Sequence, residues 1–166
     1  MTTEAAEITI RRADERDVEA LVEFNRAMAR ETEAKELDVE VLRAGVRGLL
    51  DEPRHGFYLV AERRASDAND EGTAEVVGSL MVTYEWSDWR NGLFWWVQSV
   101  YVSPSLRRRG VYRRLYQHVK ELAASDASVR GFRLYVEREN VVAQRTYEQL
   151  GMEETHYKLY EELLRR

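Results

Sequence analysis

The 166-residue chain has no cysteine. That excludes disulfides, thiolate nucleophiles and cysteine-ligated zinc. Its three histidines, His55, His118 and His156, lack the close spacing of a metal site, so no metal is expected. No apolar run approaches the roughly 18 residues of a membrane-spanning helix, so no membrane partner is expected either. The opening MTTEAAEITIRR has neither the basic stretch nor the apolar centre of a secretory leader, which makes a cytoplasmic location the expectation. Excess positive charge is missing as well. The formal charge is −5, which argues against nucleic acid as a partner.

What remains is an ordinary globular composition, long enough for one domain with its own core, residues 1–166. ITIRRA alternates apolar and polar residues as a strand does. Asp14 offers an N-cap to the helical pattern ERDVEALVEFNRAMARE, and DVEVLRAGVRGLLDE reads as a second helix that ends before Pro53. GFYLVAER and EVVGSLMVTYEW read as strands joined by the polar loop RASDANDEGTA. SDWRNG is a turn, with Asn91-Gly92 its sharpest signal. LFWWVQSVYV is apolar at nearly every position, as a central strand covered on both faces would be. Val111, Leu115, Val119 and Leu122 set a third helix, and FRLYVE a further strand. Asn140 caps the fourth helix, VVAQRTYEQL, which Gly151 ends. ETHYKLYEEL reads as a final strand, with fraying helix as its alternative. The order of elements predicts an α/β layered fold with a mixed sheet.

One cluster stands against the acidic background. In VYVSPSLRRRGVYRRLY, three arginines precede Gly110 where the third helix begins. The first N–H groups of a helix have no intrahelical partner and carry its positive end, so they suit an anion. Arg107, Arg108, Arg109 and Arg113 would add charge there, and Gly110 would let phosphate oxygens approach the backbone. A solvated basic helix start accounts for the same letters. Neither the P-loop pattern nor the dinucleotide glycine fingerprint is present.

This stretch resembles the acetyl-CoA motif of the GNAT N-acetyltransferase superfamily, Q/R-x-x-G-x-G/A. Arg107 takes its first position, Gly110 its first glycine, and Tyr112 stands where a small residue is usual. NVVAQRTYEQLGM is similar to a second family segment, with Asn140, Ala143, Tyr147 and Gly151 in place and Met152 for the usual Phe. The resemblance implies a mostly antiparallel mixed sheet with helices on both faces and a splayed parallel strand pair. It implies acetyl-CoA as co-substrate, with the backbone from Arg108 through Val111 and Tyr112 to Arg113 receiving its pyrophosphate. Tyr112 would then turn its ring outward. Val100, Tyr101 and Val102 would pair with the pantetheine arm, and the Val100 N–H would face the oxyanion. Asn140 would bond the cofactor as well as cap its helix.

The reaction implied is acetyl transfer to a primary amine of a small molecule or peptide, with Tyr147 as acid to the leaving thiolate. Glu85 is the candidate base, its alternative an ordinary strand-end carboxylate. Glu33, Glu85 and Gln98 are the expected acceptor-side residues, and Glu31, Glu36 and Asp38 share the acidic stretch with Glu33. Gln98-Ser99 stands where diamine acetyltransferases carry adjacent acids, which weakens a polyamine acceptor. A homodimer through the C-terminal strand is also expected. A non-catalytic acyl-CoA-binding regulatory module is the alternative function.

Overall fold

The computed structural model describes residues 7–64 and 74–164. The chain forms two compact units, Met1–Leu134 and Tyr135–Arg166. In the first, β1 (Ile8–Arg12), α1 (Val18–Glu33), α2 (Val39–Asp51), β2 (Gly56–Arg63), β3 (Glu75–Ser87), β4 (Gly92–Val102), α3 (Val111–Ala124) and β5 (Val129–Arg133) follow in order. The sheet runs β1-β2-β3-β4-β5, antiparallel except for the parallel β4–β5 pair. The second unit holds α4 (Val141–Gln149). The predicted loop at residues 64–74 lies almost wholly outside the described residues.

Local chemistry sets the boundaries. Asp14 accepts from the Arg16 N–H, while Asp17 accepts from the Asp14 N–H, so the two carboxylates cap the chain's first helical turn reciprocally. Asp17 is buried, and Arg11 meets it with two hydrogen bonds of 2.7 and 2.9 Å while also holding Glu62. These bonds pin β1, the cap and β2 together, and they hold the Arg11 guanidinium pKa above its usual value. Asp38 caps α2 through the N–H groups of Glu40 and Val41. The α2 helix forms despite Gly45 and Gly48, because Val46 is buried and Val39, Leu42, Leu49 and Leu50 pack against the same core cluster.

Strand alternation sorts the sheet into two faces. On one, Tyr58 and Val60 pack with Val18, Leu21, Val22 and Val46 of α1 and α2, with Met81 at the edge of the cluster. On the other lie Leu59, Leu80, Val82, Trp95 and Val97, in the layer against which α3 packs through Val111, Leu115 and Val119. β4 is central as expected: Phe94, Trp95 and Val97 are buried, and Trp96 and Gln98, on the α1/α2 face with Phe94, are partly buried.

Two strand predictions need correction. The strand expected at FRLYVE is shifted: β5 starts at Val129, straight after the Asp126–Ser128 turn, and ends at Arg133. ETHYKLYEEL forms neither strand nor helix, and Tyr157, Leu159 and Tyr160 are exposed. Alternation supplies a strand with a face but not with the hydrogen-bonding neighbour that makes it one.

Leu115 is fully buried in the α3 layer. Leu115→Ala should cost about 2–5 kcal/mol in urea unfolding, the range for emptying a core leucine site. Val41→Ala, at an exposed position, should stay within about 0.5 kcal/mol.

Candidate active site

Two backbone irregularities and a sheet end define the site. The first lies in the β3–β4 ladder. Ser79 pairs with Tyr101 and Met81 with Gln98, so Ser99 and Val100 together oppose Leu80 alone. That is a β-bulge, and Ser99 adopts a left-handed φ of 47° to make it. Beside it, β5 pairs only with Leu93–Trp96. From Val97 to Val102 no strand borders that edge of β4 among the described residues, so the parallel pair splays apart where the sequence placed the opening.

The second irregularity is the arginine turn. Pro104–Leu106 form one 3-10 turn, anchored by buried Leu106. Arg107 is then extended, and Arg108 and Gly110 are both left-handed, with φ of 61° and 81°. Left-handed geometry at a residue with a Cβ costs about 1–2 kcal/mol, and such residues gather at functional sites. At Gly110 an added Cβ would meet nothing, so the φ and not the space calls for glycine. No side chain caps α3, whose Arg114 N–H bonds the Gly110 carbonyl at 3.0 Å. The positive end of α3 therefore opens behind a turn that bends away from it.

The arginines of this turn divide into two kinds. Arg107 is tied down: Nε donates to the Val102 carbonyl (2.9 Å), Nη2 to Glu31 of α1 (2.7 Å), and its guanidinium lies 5.4 Å from the centre of the Tyr101 ring. Tyr101 itself donates to Glu31 and stacks near Phe24. Arg108, Arg109 and Arg113 enter no ion pair among the described residues. Tyr112 does not turn outward. Its ring stacks on Tyr116, four residues along α3, with ring centres 6.1 Å apart, and Tyr116 meets Phe132 edge-on.

On the α1/α2 face of the sheet a polar row precedes the bulge. Gln98 donates to Thr83. Glu85 accepts from Trp96 Nε1 at 2.9 Å and pairs with Arg133 of β5. Glu85 and Gln98 are therefore brought to one face, on neighbouring strands. Glu33 is not part of the row and pairs with Lys35. Arg133 was missed in the sequence. Its signal was an arginine inside the apolar strand pattern of FRLYVE, where the pleat had to aim it at one sheet face.

In the second unit, Asn140 accepts from the Ala143 N–H and caps α4. Gly151 ends α4 at φ 90°, with Met152 N–H on the Tyr147 carbonyl and Gly151 N–H on that of Glu148. Tyr147 is half-buried, and burial raises its hydroxyl pKa above the usual tyrosine value. Among the described residues no group of His, Asp or Glu has the arrangement of a metal site, and no helix is long and apolar enough to cross a membrane.

The bulged central strand, the splayed parallel pair and the uncapped helix are the architecture of an acyltransferase fold. The chain belongs to the acetyltransferase (GNAT) family, whose profile matches residues 18–152. It is similar to the crystal structure of a possible acetyltransferase from Clostridium difficile 630, at 43% identity, TM-score 0.83, and 96% and 99% coverage of the two chains. Its fold is also that of the aminoglycoside N-acetyltransferase AAC(6')-Iy in complex with CoA (17% identity, TM-score 0.72, 98% and 99% coverage). A predicted acetyltransferase from Clostridium acetobutylicum with acetyl-CoA shares it too (15% identity, TM-score 0.71, 94% and 96% coverage). No curated protein matches the chain.

Arg107 fastens the turn to the end of β4 through Val102 and to α1 through Glu31. Arg107→Ala should lower global stability by no more than about 1 kcal/mol, because the pair it loses is well exposed. Amide exchange at Leu106 and Arg107, whose N–H groups close the 3-10 turn, should nevertheless speed up in the variant.

Proposed function

We propose that residues 1–166 act as one N-acetyltransferase domain that moves an acetyl group from acetyl-CoA directly to a primary amine. The observation that carries this reading is the uncapped α3 N-terminus behind left-handed Arg108 and Gly110, at the end of a bulged strand with an open edge. Donors that converge without a side-chain cap fit a diphosphate. Structural neighbours with CoA or acetyl-CoA bound support the choice of ligand.

In this reading the backbone N–H groups from Arg108 to Arg113 hold the pyrophosphate, with Arg108, Arg109 and Arg113 supplying charge around it. Arg107 acts through the turn it fastens. The bulge takes Val100 out of register with β3, and its N–H is assigned to the charge that develops on the acyl oxygen. The open edge of β4 from Val100 to Val102 lies alongside the amide groups of the pantetheine arm, as a strand edge receives an extended peptide. Asn140 contributes a cofactor hydrogen bond beside its capping role.

Tyr147 serves as the acid. Its raised pKa keeps the hydroxyl protonated at neutral pH, as a proton donor to a thiolate must be. Glu85 on the acceptor side is held by Arg133 and Trp96. It takes a proton only when the acceptor's arrival rearranges those bonds, or through water. A module that bound acyl-CoA without turnover would need no hydroxyl at the sulfur.

Acetyl-CoA should raise the melting temperature, since a ligand bound only by the folded state must stabilise it. Gly110→Asp should remove that shift by placing a carboxylate at the helix start. An unchanged shift would overturn the placement. Tyr147→Phe should lower kcat about 10²-fold or more while acetyl-CoA affinity holds. The wild-type kcat should show no loss attributable to this group until the pH passes the ordinary tyrosine value of about 10, because only the neutral hydroxyl donates. Tight binding without CoA release over a broad amine panel would assign the protein to the regulatory class instead.

A further inference from the structure

The polar row on the α1/α2 face is not explained by stability. It runs from central β3 and β4 to the edge strand β5, opposite a buried layer. The side chains of Glu85 and Arg133 are 39% and 35% exposed, and ion pairs at such exposure contribute only about 0–1 kcal/mol. The row also sits on the strand that carries the bulge, with Gln98 immediately before Ser99.

Arg133 is built to receive something. The Phe94 ring lies beneath its guanidinium, 3.8 Å from carbon to ring centre, and Nη1 is spent on Glu85. Its other N–H groups make no hydrogen bond to another described residue. A planar fork with donors to spare, fixed by a ring and a carboxylate, is pre-organised for a carboxylate ligand. Glu31 pairs with Arg107, Glu33 with Lys35, and Glu85 with Arg133, so each of these three carboxylates already has a cation beside it.

Resting on the acetyltransferase reading above, we propose that the acceptor is an amino-carboxylate of amino-acid type, with Arg133 receiving its carboxylate and Glu85 facing its ammonium group. Arg133 is then the specificity-determining residue. The arriving carboxylate takes the free edge of the guanidinium and weakens its hold on Glu85.

The test uses the full chain, acetyl-CoA and matched acceptors: a series of free amino acids, the corresponding amino acid amides, and the polyamine spermidine. For the preferred side chain, kcat/KM should be at least roughly 10-fold higher for the acid than for its amide, because a site built for a polar group discriminates against the analogue lacking it. Arg133→Gln should collapse that ratio toward one through KM, and Arg133→Lys should keep part of it. An acid-to-amide ratio near one in the wild type, a ratio that survives Arg133→Gln, or a preference for spermidine would each overturn the proposal. Because the wild-type ratio needs no variant, a misfolded Arg133→Gln leaves the proposal open to refutation. The acetyl-CoA thermal shift separates the two levels. If the shift is missing, the acetyltransferase reading falls; if it is present without amino-acid acetylation, only the acceptor assignment falls.

Discussion

The site hangs on one extra residue. By setting Ser99 and Val100 against Leu80, the bulge divides β4 into two stretches with different neighbours. Before it, the strand is bordered on both sides, by β3 and β5, and carries Trp96 and Gln98 on the α1/α2 face. After it, Tyr101 and Val102 run along β3 only and lead into the arginine turn. Without the bulge every side chain beyond Gln98 would change face, since side chains alternate along a strand. Tyr101 would then leave Phe24 and Glu31, and the tether from α1 to the turn would lose one of its members. The left-handed Ser99 is the local cost of that arrangement.

Much of this was legible because it depends on pattern. Periodicity found α1, α2 and α3, and GFYLVAER is β2 to the residue. Asn91-Gly92 closes the β3–β4 hairpin, and Asn140 and Gly151 frame α4. The unread features are those in which a residue adopts a conformation its type does not advertise. Ala34, Ser99 and Arg108 are all left-handed without being glycine. Nothing in their identities signals it: Ala34 takes that geometry as the C-cap of α1, Ser99 in the bulge and Arg108 in the turn before Gly110. Side-chain pairing was equally silent: Glu85 reads as a free carboxylate until Arg133 is seen across two strands.

The acidic chain thus spends its charge in an orderly way. Glu31, Glu33 and Glu85 are paired, while Arg108, Arg109 and Arg113 around the α3 N-terminus enter no ion pair among the described residues. Unpaired positive charge beside a positive helix end is unfavourable by a few tenths of a kcal/mol per group. Three uncompensated arginines around one helix start hold positive potential at that place, and a local field of that sign draws anions to it.

Two of the arginines share one construction with opposite outcomes. Arg107 is held between the Glu31 carboxylate and the Tyr101 ring, Arg133 between the Glu85 carboxylate and the Phe94 ring. Both rings belong to β4, one on either side of the bulge, and both forks lose rotamer freedom before any ligand arrives. Arg107 has a third tie, from Nε to the carbonyl of Val102 within its own turn. That bond turns the side chain into a brace for the backbone of its own turn. Arg133 has no such third tie, so its fixed orientation serves nothing inside the sheet. A guanidinium whose orientation is already fixed loses less freedom when it takes a further hydrogen bond, and Arg133 shares its face of the sheet with Trp96 and Gln98.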